Sequence, residues 1–145
     1  MKIKNVLKDK AQNSIFSVQS SLSVYEALVV MAEKNIGALL VVDDGKLSGI
    51  FSERDYARKV ILQGRNSNET LIGDVMTSKV ITVNSDQALE YAMVLMSEKH
   101  IRHLPVVDGE ELVGIISISD VVTSVITEQK TRIASLESYI SGNPY

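Results

Sequence analysis

The sequence predicts an α/β (α+β) fold built from two pseudo-twofold-related β-α-β-β-α units packed through their sheets. Three observations carry this expectation. The chain repeats itself at an offset of 65: Val18 falls on Val83, Met31 on Met96, Ile36 on Ile101, Gly49 on Gly114 and Asp55 on Asp120. Residues 15–57 align with 80–122 without a gap, and 17 of those 43 positions are identical. Within each copy the apolar pattern alternates between short β-rich runs and stretches of helical period. The 145 residues are 45% hydrophobic, enough for a core shared by two small halves.

The first copy opens with an apolar strand over 15–18 and a polar turn over 19–21. Val24, Ala27, Leu28, Met31 and Ala32 then fall on one face of a helix, with Ser23 and Glu26 as its capping box. That helix is expected to stop near 35–37, with Gly37 as a candidate C-terminal stop. A fully apolar strand over 38–42, the turn Asp43, Asp44, Gly45 and a second strand over 47–51 form a hairpin. A further helix starts at Ser52 and runs towards Leu62. The second copy repeats the order. It has a strand over 80–83, a helix lined by Leu89, Ala92, Met93 and Met96, a hairpin of 104–107 and 112–116 around Asp108 and Gly109, and a last helix from Ser117.

Residues 63–69 are polar and Asn/Ser-rich. The lead-in Ile72, Gly73, Asp74, Val75, Met76 echoes Ile3, Lys4, Asn5, Val6, Leu7 at an offset of 69. The expected organisation is therefore repeat one over 1–62 with its lead-in, a linker over 63–71, repeat two over 72–126, and a C-terminal helix and tail over 127–145. The last helix carries Val122, Ile126, Ile133, Leu136 and Ile140, an apolar stripe beyond what the repeat needs, which fits either its own chain or a dimer contact.

Composition narrows the function. The net charge of −3 and an aromatic share of 5% without Trp argue against nucleic acid as partner. The absence of Cys excludes thiolate chemistry and Cys-based zinc sites, and two His, His100 and His103, cannot build a multi-His centre. The N-terminus lacks the apolar core of a signal segment and no stretch has the length of a membrane span, so a cytoplasmic protein without membrane association is expected.

Both copies carry one signature after the second hairpin strand: Gly49, Ser52, Arg54, Asp55, and Gly114, Ser117, Ser119, Asp120. A Ser at the start of a helix sits beside unpaired N–H groups that attract phosphate. An Asp three residues on can accept hydrogen bonds from vicinal hydroxyls. Gly before the turn lets a ligand approach the backbone. The same S-x-x-D spacing is also an ordinary capping box. Arg102 and His103 precede a buried strand, where the first copy has the neutral Gly37 and Ala38. Arg54, Arg58 and Lys59 share a helix, and Lys79 adds charge near the short strand. Guanidinium groups suit phosphate, and a solvated basic face is the competing explanation. No nucleophile-base pair emerges, so the chain reads as a binder.

The motifs GIFSERD, GIISISD, IRHLPVV and VMTSKVITV resemble a tandem pair of cystathionine-β-synthase (CBS) domains, a Bateman module, of the small stand-alone bacterial type. The resemblance spans nearly the whole chain. It implies no catalytic cofactor and an adenosine ligand in the clefts between repeats: AMP first, with ADP, ATP, NAD(H) or S-adenosylmethionine also used in the family. It implies that Asp holds the ribose and Ser or its neighbour the phosphate. One cleft would join Ser52, Arg54 and Asp55, with Arg58, Lys59 and Lys79 nearby, to Val80, Ile81, Thr82, Arg102 and His103. The other would join Ser117, Ser119, Asp120 and His103 to Ile15, Phe16, Gly37 and Ala38. Pro105 stands where the first repeat has Leu40. The function implied is a non-enzymatic energy or redox sensor, homodimeric, acting on a protein target outside this chain, with a scaffold module as the alternative. The cations around Asp55 predict that this cleft binds more tightly than the one around Asp120.

Overall fold

The computed structural model describes residues 1–10 and 15–140. Its elements run α1 (Ile3–Asp9), β1 (Ser17–Val18), α2 (Val24–Lys34), β2 (Ala38–Asp43), β3 (Lys46–Ser52), α3 (Glu53–Asp55) continued by a π-helical stretch (Tyr56–Ile61), α4 (Ile72–Val75), α5 (Leu89–Lys99), β4 (His103–Asp108), β5 (Glu111–Ser117) and α6 (Ile118–Ile140). The α/β order expected from the repeat is present in both halves.

In the first half β1 pairs parallel with β2, and β2 pairs antiparallel with β3. The second half keeps the hairpin β4–β5, with Ala38↔Ser52 matched by His103↔Ser117. Its short strand is reduced. The strand expected over 80–83 is a single bridge, Val83 to Val106. Pro105 explains this. Val83 donates to the Pro105 carbonyl and accepts from the Val107 N–H. The next bond up a parallel ladder would need an N–H at position 105, which proline lacks. In the first half the strand is two residues rather than the four over 15–18.

Local chemistry sets the boundaries. Ser23 accepts from the Glu26 N–H at 3.1 Å, the cap half of the expected box, while Glu26 accepts from the Ser23 hydroxyl at 3.2 Å rather than from its N–H. Asp44 and Gly45 both hold positive φ, which a tight hairpin turn needs. Helix α2 stops within the expected 35–37, at Asn35 rather than at the candidate Gly37. Asn35 takes the left-handed conformation at φ 53°, and His100 does the same for α5 at φ 54°. Asn and His tolerate that conformation better than β-branched residues, so no Gly is required. On α2 the buried residues are Val24, Ala27 and Met31, while Ala32 is exposed; on α5 Leu89, Ala92 and Met96 are buried and Met93 is exposed.

Two cores result, and the lead-ins cross between them. Ile3 and Val6 of α1 pack with Val83, Leu89, Met96, Leu104 and Ile116 of the second half. Ile72 and Val75 of α4 pack with Val24, Met31, Leu39 and Phe51 of the first half. Each half is therefore completed by the segment that precedes the other in sequence.

Candidate functional site

The turn from β3 into α3 places Ser52 and Asp55. Ser52 is the helix cap: its hydroxyl accepts from the Asp55 N–H, and Asp55 Oδ2 accepts from the Ser52 N–H at 3.0 Å. The capping box is thus real. It uses one carboxylate oxygen. The other, Oδ1, accepts from the Thr77 hydroxyl at 3.1 Å and lies 3.1 Å from Lys59 Nζ. Asp55 is 8% exposed, so its charge is held by these partners rather than by water. Thr77 is fixed in turn by backbone bonds in both directions with Ile50.

Around this carboxylate opens a cleft of about 1090 Å³ between the two halves. Ser52, Arg54, Asp55, Arg58, Lys59, Lys79, Val80, Ile81, Arg102 and His103 line it, as the sequence places them. Thr82 and Pro105 are not among the lining residues: Thr82 is exposed, and Pro105 is buried in β4. Gly37, expected in the other cleft, lines this one and stands close to the His103 ring. Its position at the entry to β2 brings it across the pseudo-twofold from β4. Sequence reasoning missed Ile50, Glu53, Thr77, Lys99, His100 and Ile101 as lining residues. The signal for Thr77 was its position directly after Met76, the last residue of the lead-in.

Six cations face the cleft against two carboxylates. Arg54 spans it, donating to the His100 carbonyl at 2.6 Å at the C-terminal end of α5, where a helix carries negative partial charge. Burial holds the His103 imidazole below its ordinary value; the Asp120 carboxylate opposes this, and Lys10, Arg102 and Arg54 reinforce it. The cleft therefore presents a neutral ring and a basic floor, an arrangement suited to an anion with an apolar part.

The equivalent region of the second half is occupied differently. Asp120 Oδ2 accepts from the Ser117 N–H at 2.9 Å and pairs with Lys10 Nζ at 3.1 Å. Lys10 also donates to the Ile115 carbonyl at 2.6 Å. Of the residues expected to complete this cleft, Phe16 packs on the first core with Lys34 Nζ 5.0 Å from its ring centre. Ala38 is buried in β2, while Ile15 and Ser119 are exposed.

The reading of Gly49 and Gly114 as points of ligand approach is corrected. A Cβ on Gly49 would meet Met76 Sδ at 2.7 Å and the Thr77 carbonyl at 2.8 Å; one on Gly114 would meet Leu7 at 2.8 Å. The glycines make room for the crossing lead-ins.

The family model for the CBS domain matches the chain twice, over 6–62 and 72–127. The chain belongs to the CBS-domain family. The mitochondrial CBS domain-containing protein CBSX3 of Arabidopsis thaliana is 41% identical over 97% of this chain and 72% of its own length. Among solved structures, a protein with CBS domains from Burkholderia ambifaria is 48% identical, with a TM-score of 0.86 over 89% of this chain and 96% of that one. The CBS domain pair of protein MJ0100, solved in complex with 5′-methylthioadenosine and S-adenosyl-L-methionine, is 29% identical, with a TM-score of 0.75 over 89% of this chain and 98% of that one. A hexameric CBS-CP12 protein from bloom-forming cyanobacteria is 26% identical, with a TM-score of 0.76 over 85% of this chain and 71% of that one. The chain is a CBS pair, a regulatory module. No helix among its described residues is long and apolar enough to cross a membrane.

Proposed function

We propose that this CBS pair is a non-enzymatic sensor that binds an adenine nucleotide in the cleft around Asp55. AMP is the ligand we favour, with ADP, ATP and NAD(H) as the other members of the class. The observation that carries the reading is the Asp55 carboxylate. It is held at the cleft wall by Ser52 and Thr77, with Oδ1 turned away from the cap and Arg54, Arg58, Lys59, Lys79 and Arg102 around it. A ribose diol can take the place of the Lys59 contact at Oδ1, releasing that ammonium to the phosphate. Each charge-assisted contact to phosphate contributes about 1.5–3 kcal/mol. The apolar side of the cleft, Val80 and Ile81, suits an adenine ring. The complex of the MJ0100 pair with two adenosine compounds supports the same ligand class.

Binding acts on a protein target by favouring one of two arrangements of the halves. We further propose a homodimer and a cytoplasmic location. Tyr25, Val29, Tyr91, Met93 and Val94 leave exposed apolar surface on α2 and α5, which a second copy would cover. Light scattering at micromolar concentration tests the dimer, and a monomer mass overturns it. Calorimetric titration with AMP, ADP, ATP and NADH tests the sensor. Saturable binding that is lost in Asp55→Ala supports it. No saturable binding by any of the four would leave a protein-interaction module, in which both Asp residues serve only as helix caps.

A further inference from the structure

The family match ends at residue 127, but α6 continues to Ile140. Over its first turns α6 is anchored by Val121 in the second core, with Val125 packed against it. Beyond Thr127 every described position but Glu128 is exposed. Ile133, Leu136 and Ile140 stand 53%, 60% and 80% exposed. A helical extension of this length is marginal in water by itself, and its apolar side chains gain nothing there.

The spacing specifies what covers it. Ile126, Ile133 and Ile140 recur every seven residues; Val122, Gln129 and Leu136 fall four positions before the next Ile. These are the a and d positions of a heptad seam. Isoleucine at a with leucine at d favours two parallel strands; here a holds Ile126, Ile133 and Ile140 after a polar Ser119, and d holds Val122, Gln129 and Leu136. The flanks agree. Arg132 occupies a g position and Glu137 the e position five residues on, the pair that meets across a parallel dimer. Arg132 already contacts Glu128 on its own helix at 3.0 Å, and a guanidinium has donors for both carboxylates. An antiparallel seam with Ile126 against the partner's Ile133 would instead bring the two Lys130 side chains together. The seam also runs into a mainly apolar groove of about 560 Å³ beside α5 and α6, lined by Met93, Val122 and Ile126 together with Arg54, His100 and Arg102.

We propose that residues 119–140 of α6 pair with α6 of a second copy as a parallel two-stranded coiled coil. This adds to the α2 and α5 surface a second self-association contact of stated segment, orientation and charge pair, and it does not depend on the nucleotide.

The chain has no cysteine, so single-cysteine variants of the full chain report geometry directly. Leu136→Cys should cross-link to itself under mild oxidation about tenfold faster than Ser135→Cys, because position 136 meets its own counterpart only in the parallel register; Gln129→Cys, at the centre of either register, should also outpace Ser135→Cys and reports the seam itself. Arg132→Glu should slow the Leu136→Cys cross-link, and the exchange Arg132→Glu with Glu137→Arg should restore it. Cross-linking of Thr123→Cys with Leu136→Cys in a mixture, without self-linking of Leu136→Cys, means an antiparallel seam and overturns the proposal. Failure of both d-position variants to outpace Ser135→Cys also overturns it, whatever the oligomeric mass.

Discussion

Asp55 and Asp120 occupy the same place in the repeat, yet their surroundings assign them different work. Asp55 divides its two oxygens between the helix cap and the cleft, while Asp120 places Oδ2 on both Ser117 and Lys10. The glycines before them are governed by packing. Gly49→Ala should cost about 1–3 kcal/mol, because the new methyl meets the Thr77 carbonyl, a backbone atom that cannot swing away. Urea unfolding would measure this, and a change under about 0.5 kcal/mol would contradict the packing argument. His103 gives a pH dependence. Burial lowers its pKa below the usual 6.5, so the unfolded chain takes up a proton first as pH falls. The stability due to the neutral ring is complete above pH 6.5 and is lost progressively below it, towards the lowered folded value. The melting temperature should therefore fall more between about pH 7 and 5 in the natural chain than in His103→Gln. Equal falls would show that His103 is not the group responsible.

At the scale of elements, what the repeat could show was legible. Helical period, the Asp43 to Gly45 turn and the Ser23 cap placed α2, β2 and β3 from sequence, and the same pattern placed α5, β4 and β5. What was not legible arises between segments distant in sequence. The Pro105 effect on the short strand depends on which strand lies beside β4. Ten residues of the cleft around Asp55 were legible: Ser52 and Asp55 because a doubled motif marks them, the cations and His103 through their chemistry, and Val80 and Ile81 through the family resemblance. Thr77 and Gly37 were not placed there because a repeat alignment carries no information on which lead-in crosses to which half. That crossing makes a testable prediction. Ile3 is fully buried in the second core. Ile3→Ala should destabilise by about 2–5 kcal/mol, the usual range for deleting a buried isoleucine side chain. Hydrogen exchange should rise in α5 and β4 before it rises in α2 and β2. The opposite order would mean that α1 serves the half it precedes.

At the scale of the whole molecule, the two halves are copies in fold and differ in what surrounds their paired carboxylates. The cations around Asp55 were expected to make its cleft the tighter one. The structure adds a second cause, an internal occupant for the other carboxylate. Lys59 and Lys10 both pair with an Asp, but on different terms. Lys59 rides on the same helix as Asp55, and its side chain is 42% exposed, so it can move to a phosphate in its own cleft. Lys10 comes from the crossing lead-in, is only 19% exposed, and is tied also to the Ile115 carbonyl. A ribose diol at Asp120 must displace a charge-assisted contact that is held in place, a cost of about 1.5–3 kcal/mol, or tenfold or more in affinity. The natural chain should then bind one nucleotide tightly. Lys10→Met should leave that site unchanged and expose a second. In calorimetry the Lys10→Met stoichiometry should approach two per chain, and adding Asp120→Ala should return it to one. Tight binding of two nucleotides by the natural chain, or no gain in Lys10→Met, would show that Lys10 does not set the inequality. Loss of all binding in Asp55→Ala with Asp120 intact would still identify the first cleft as the principal site.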